Sequence, residues 1–129
     1  GERDAGCEDL APITGADATG RREGTAGLDN PRAGAGRTSS EVLNHHPTVK
    51  PLKIIRWMIK LITPPGGTVL DTYLGSGTTC AAAIDVGRAS IGIERDLLYL
   101  PIIDARIAHA VAKYKQDHAQ LSLLKWGGL

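Results

Sequence analysis

The sequence predicts an α/β fold of parallel strands with flanking helices, and three observations carry that prediction. A short apolar run, Val69-Leu70, ends in Asp71 and a glycine-containing turn, Gly75-Ser76-Gly77, that opens into hydroxyl and small residues. A second apolar run, Ala89 to Ile93, ends in another acid, Glu94. Between and around these runs lie segments with helical spacing of apolar residues. Strands that barely alternate in polarity, joined through a helix, belong to parallel sheets rather than hairpins.

At 129 residues the chain has room for one modest domain. Its formal charge of +1 implies no polyelectrolyte partner, but the charge is unevenly spread. Residues 1–50 hold six Lys/Arg against eight Asp/Glu, whereas residues 51–129 hold nine against six. The second part is therefore mildly basic, compatible with nucleic acid but no proof of it. Two cysteines, Cys7 and Cys80, are too few for a disulfide framework and favour a reducing compartment. No apolar run is long enough for a membrane span, so no membrane is expected and the predicted location is cytoplasmic.

Residues 1–43 read as a flexible segment, because glycines, small residues and charges dominate without an apolar period. Asn44 to Pro51 form a stiff connector with two prolines, and Pro51 suits the start of a helix. The helix itself is predicted over 52–62, with Leu52, Ile55, Ile59 and Ile62 on one face. Trp57 and Met58 widen that band, while Lys53, Arg56 and Lys60 form a stripe read as a wet face. Thr63-Pro64-Pro65-Gly66-Gly67 ends the helix and turns the chain.

The first strand is predicted at 68–73, buried on both faces, and the second at 89–94. Between them, residues 76–86 make a helix whose Cys80-Ala81-Ala82-Ala83 run allows close packing, with Gly87 as its stop. Asp96 is the expected N-cap of a long helix reaching about Lys115, whose core stripe is Ile103, Ile107, Ala110, Val111 and Tyr114. Pro101 lies deep for a relaxed first turn, so a late start or a kink follows. The domain reading is thus 1–43 as a flexible or target-recognition remnant, 44–115 as a partial cofactor-binding domain, and 116–129 as a C-terminal extension. That extension can continue the long helix, and its apolar Leu121, Leu123, Leu124 and Trp126 suit it to docking. A sheet of only two parallel strands is an odd free-standing domain.

The glycine turn is no Walker loop, since no Gly-Lys-Ser/Thr follows it, and Cys80 stands where a dinucleotide fingerprint has its third glycine. Glu94 lies 17 residues beyond Gly77, a spacing suited to a ribose diol. A glycine turn and a ribose acid without a phosphate lysine fit either S-adenosyl-L-methionine or NAD. For the former, the amides at Gly75 to Thr78 would take a carboxylate and Asp71 an ammonium. Cys80 reads as a core residue rather than a nucleophile, and His45, His46 and Cys7 match no metal-ligand set, so no metal is expected. His109 and His118 read as solvated.

Two segments together are more specific. His46-Pro47-Thr48-Val49-Lys50-Pro51 and Asp71-Thr72-Tyr73-Leu74-Gly75-Ser76-Gly77-Thr78-Thr79 resemble, in order and separation, two segments of the DNA amino-methyltransferases that modify adenine N6 or cytosine N4. Ile91-Gly92-Ile93-Glu94-Arg95-Asp96 resembles the element that follows. The resemblance covers about residues 44–110. It implies a partial Rossmann-like S-adenosylmethionine-dependent methyltransferase fold and methylation of an exocyclic amino group in DNA. It also assigns Gly75, Ser76, Gly77 and Thr78 to the methionine end of the cofactor, Asp71 to its amino group and Glu94 to its ribose. Thr48 and Lys50 would close the pocket, and Tyr73 would supply an aromatic contact. Thr72 stands where the family has proline, and Tyr73 where it usually has phenylalanine.

The family's catalytic Asp/Asn/Ser-Pro-Pro-aromatic segment has no counterpart in these 129 residues. Thr63-Pro64-Pro65-Gly66 lacks both the acceptor and the aromatic, and turn chemistry already explains it. No catalytic residue is therefore assigned. The expectation is a chain inactive alone, completed by a second chain or a missing N-terminal half that carries the catalytic segment. The alternative is a non-catalytic S-adenosylmethionine-binding or interaction module left from a truncated enzyme.

Overall fold

The computed structural model describes residues 3–14, 41–46 and 48–126. Its elements are β1 (Ile13–Thr14), β2 (Glu41–Val42), α1 (Leu52–Ile62), β3 (Thr68–Asp71), α2 (Thr78–Asp85), β4 (Ala89–Gly92), a 3-10 turn (Leu97–Tyr99) and α3 (Leu100–Trp126). β3 and β4 pair in parallel, with Thr68 beside Ala89 and Asp71 beside Gly92, and α2 makes the crossover. β1 and β2 form a separate antiparallel pair, Ile13 opposite Val42. The α/β arrangement of parallel strands flanked by helices is the one the sequence predicts.

Helix α2 is the centre of the packing, lying against α1, α3 and β4. Its side chains make this possible: Ala82 and Ala83 are fully buried, and Ala81 and Cys80 nearly so. They meet Leu52 and Ile59 from α1 and Ala110 from α3 in one cluster. Cys80 meets Leu74 and Ile103 in a second, so its predicted role as a core residue is what is observed. Gly92 is part of the same economy of space, since a Cβ there would stand 2.5 Å from Leu74 Cδ2. A helix of larger residues would push its three neighbours apart.

Pro51 stands at the N-cap of α1 and Thr63 at its C-cap, where the Thr63 N–H still reaches Ile59 O. The Pro-Pro-Gly-Gly turn follows, closed by the Gly67 N–H to Pro64 O at 3.0 Å. Arg56 leaves the supposed wet stripe and forms an ion pair with Asp85 at the end of α2. At the start of α3, Asp96 accepts from the Leu98 N–H at 3.0 Å and caps the 3-10 turn. Pro101 then falls at the second helical position, where its missing N–H costs no bond, so the late start explains the proline.

Other expectations also differ from the structure, beginning with strands that end at Asp71 and Gly92 rather than at 73 and 94. The strands are not covered on both faces: Leu70 is 63 % exposed and Ile91 56 %, because α2 supplies only one apolar layer among the described residues. The apolar band of α1 is likewise half used, with Trp57 and Ile62 at 64 % and 72 % exposure. The N-terminal stretch also departs from the flexible reading, because residues 3–14 pack. Cys7 is fully buried, and Gly6, with φ of +86°, lies where a Cβ would be 2.6 Å from His109 Cβ on α3. Within the supposed flexible segment, residues 1–2 and 15–40 lie outside the described residues, as do the side chains of Leu121, Leu123, Leu124 and Trp126. α3 runs on to Trp126, so the helix continues through Lys115 into the tail. Among the described residues no helix is long and apolar enough to cross a membrane.

The packing of α2 gives a direct test. Ala82→Leu should lower stability by about 1–3 kcal/mol through overpacking, whereas Ala108→Leu on the exposed side of α3 should change it little. Urea unfolding of the two variants checks the difference.

Candidate cofactor-binding site

The site forms where β3 and β4 end side by side. Pairing outlasts the strands themselves: the Ile93 N–H reaches Asp71 O at 2.9 Å, and the Leu74 N–H reaches Ile93 O at 3.0 Å. From there the chain bends through Gly75 and Gly77, with φ of +60° and +76°, into α2. Residues with a Cβ enter that region only under strain, which is why the turn is built on glycine. Gly77 is the N-cap of α2 and makes no side-chain cap bond, leaving first-turn amides for a ligand.

Glu94 ties the two strand ends together. One carboxylate oxygen accepts from the Gly75 N–H at 2.7 Å, and the other accepts from the Asp96 N–H at 2.8 Å. The Asp96 bond is the main reason its carboxyl is held below the usual range, and the Gly75 bond adds to it against partial desolvation. The Arg95 backbone contributes in the same direction, so three backbone donors face a carboxylate with about four lone-pair sites.

The connector before α1 forms the opposite wall. The His46 ring lies so close to Gly75 that a Cβ there would be 2.8 Å from Nε2. Its Nδ1 accepts from the Thr48 N–H at 3.2 Å, and its edge meets the Tyr99 ring with centroids 4.5 Å apart. Burial lowers the His46 pKa, opposed by the Glu94 charge, so the ring is neutral at pH 7. The N-terminal turn fixes this connector. Arg3 donates to Asn44 O and His46 O, each at 3.0 Å, while Asp4 accepts from the Asn44 N–H.

These walls enclose a cavity of about 560 Å³, within the range of small-ligand sites. Thr48, Lys50, Tyr73, Gly75, Ser76, Thr78 and Glu94 all line it, so seven residues singled out in the sequence converge on one hollow. Tyr73 is 88 % exposed at its rim, an aromatic face open to a ligand. Asp71 and Gly77 do not line it. Asp71 sits beneath the turn, where its oxygens accept from the Tyr73 N–H and the Thr79 hydroxyl. Gly77 lies against Ile103 of α3.

Sequence reasoning passed over two residues. His46 opens the segment that carries the family resemblance but is assigned no place in the pocket by sequence, although its position beside Thr48 is the available signal. Arg106 was left out of the α3 core stripe, yet it is 2 % exposed, with Nη1 donating to Ser76 O, Ser76 Oγ and Thr78 Oγ1. Its position, three residues after Ile103 and four before Ala110, places it on the buried face.

Residues 21–105 match the family model described as DNA methylase, of the N6/N4 type. The chain belongs to the DNA N6/N4 methylase family. Among curated proteins, this family member is 50 % identical over 50 residues to YubD of Escherichia coli (strain K12), which carries a methylase name. That match covers 39 % of this chain and 22 % of YubD. It is also 43 % identical over 75 residues to the type II methyltransferase M.ScaI of Streptomyces caespitosus, covering 58 % of this chain and 24 % of that enzyme. The chain thus matches about a quarter or less of the length of either relative.

The Glu94 tie makes a pH prediction. Because its folded-state pKa is lowered, its stabilisation is complete above the unfolded carboxylate value and fades as pH falls through the folded one. The stability gap between wild type and Glu94→Gln should therefore narrow on acidification below the usual carboxylate range. Thermal unfolding from neutral pH into that acid range measures it. A gap that widens there would contradict the assignment.

Proposed function

We propose that this chain binds S-adenosyl-L-methionine and supplies the cofactor-binding part of an enzyme that methylates an exocyclic amino group, adenine N6 or cytosine N4, in DNA. The observation that carries the reading is the 2.7 Å bond joining the Gly75 amide to Glu94, which puts a ribose-binding acid beside a glycine bend. Family membership supports the chemistry, and a cavity of about 560 Å³ supports a nucleoside-sized ligand. The name of the Streptomyces caespitosus relative favours a place in a restriction-modification system, and a cytoplasmic location accords with that.

When bound, the cofactor supplies an electrophilic methyl group on its sulfonium. The residues of this chain hold and orient it. Glu94 accepts from the ribose through its remaining acceptor capacity, and, with the Gly75 and Gly77 amides given to Glu94 and Leu74 O, the Ser76 and Thr78 backbone faces the methionine carboxylate. Tyr73 covers one face of the ligand, while Thr48 and Lys50 close the hollow from the connector. Asp71 already accepts two bonds within the chain, so its contribution to the ammonium is by charge.

The catalytic Pro-Pro-aromatic loop belongs, on this reading, to polypeptide outside these 129 residues, in the same protein or in a second chain. The uncovered apolar face at Leu70 and Ile91 supports that, being the kind of surface a larger sheet would bury. The basic balance of residues 51–129 is compatible with DNA as the partner.

Calorimetry tests the cofactor reading. Wild type should bind S-adenosylmethionine and not NAD, and Glu94→Ala should weaken binding by about 1.5–3 kcal/mol, the worth of a charged hydrogen-bond acceptor. NAD binding in preference to S-adenosylmethionine would overturn it. In a DNA methylation assay this chain alone should give no turnover, and clear turnover would overturn the assignment of catalysis to other polypeptide.

A further inference from the structure

We infer that Arg106 is the positioning residue that shapes the cofactor loop for the amino-acid end of S-adenosylmethionine, an inference that rests on the cofactor reading above. One guanidinium nitrogen reaches three oxygens of the loop: Ser76 O at 3.1 Å, Ser76 Oγ at 2.9 Å and Thr78 Oγ1 at 3.2 Å. Arginine stays charged inside a protein, and burying it is costly unless such acceptors surround it. A leucine would fill the space between α2 and α3 more cheaply, so the charge on this helix has a use beyond packing.

That use follows from what the three bonds fix. Drawing Ser76 O toward α3 sets the plane of the Ser76–Gly77 peptide, whose N–H then points the other way and closes on Leu74 O at 3.2 Å. The Ser76 and Thr78 hydroxyls lie 3.2 Å apart and are both engaged by Arg106. Both residues are nearly fully buried, at 3 % and 4 % exposure. With its hydroxyls drawn toward α3, the loop is left to meet a carboxylate through backbone. Glu94 anchors the same loop from the other side at Gly75. The loop is thus held at both ends, by the acid that faces the ribose and by the arginine behind the segment that faces the methionine.

The two anchors should separate by ligand. Calorimetry on the full chain would compare S-adenosylmethionine with 5′-methylthioadenosine, which has the adenosine and sulfur but no amino-acid carboxylate or ammonium. Arg106→Met should cost S-adenosylmethionine about tenfold or more in affinity, while methylthioadenosine stays within about twofold, because one charged anchor of the loop is worth that much. Arg106→Lys, which keeps the cation but reaches fewer oxygens, should restore part of the loss. Should Arg106→Met fail to fold, the lysine variant carries the comparison, with the same split in smaller measure. Equal losses for both ligands, or none, would overturn the role of Arg106 and leave the cofactor reading intact. Wild type binding neither ligand would overturn both.

Discussion

The site depends on one hydrogen bond, from the Gly75 amide to the Glu94 carboxylate. It joins the end of β3 to the end of β4 at the point where both strands have finished and a parallel sheet opens into a crevice. The acid is near the bend because the two strands run in register, Asp71 beside Gly92, and Glu94 follows two residues later. The bend comes close enough because Gly75 has no Cβ to strike His46. Sheet register, glycine geometry and the carboxylate therefore converge on the same bend.

Around that unit the molecule is arranged to keep the bend still. The small residues of α2 let α1 and α3 approach, so Ile103 lies against Gly77 and Arg106 reaches the loop oxygens. Arg56 and Asp85 link α1 to α2 at the far end. On the other wall, Arg3 and Asp4 hold the Asn44–His46 connector, and the neutral His46 ring packs between Gly75 and Tyr99. A neutral imidazole in that wall places no positive charge beside the Gly75 bend.

Much of this was legible because its causes are local. Glycines at 75 and 77, the small run from Cys80 to Ala83 and the acid at 94 each answer a short-range geometric need, so the strand, turn, helix and strand could be placed from residues alone. What was not legible depends on partners distant in sequence. A composition argument treats residues 1–43 as one stretch, yet Gly6 docks on His109, a contact that no local pattern announces. Arg106 carries a charge that hydropathy alone places in solvent, and the oxygens of a loop 28 to 30 residues away help to make its burial tolerable. Periodicity likewise marks Leu70, Trp57 and Ile62 as apolar faces without saying what lies against them.

The most direct test of the central claim is a backbone NMR titration with S-adenosylmethionine, following every assigned amide of this chain. The account predicts that the largest shifts fall on Gly75 to Thr78, Glu94 and Asp96, with little change along the exposed face of α1. Shifts concentrated elsewhere, with the Gly75 and Asp96 amides unmoved at saturation, would contradict it.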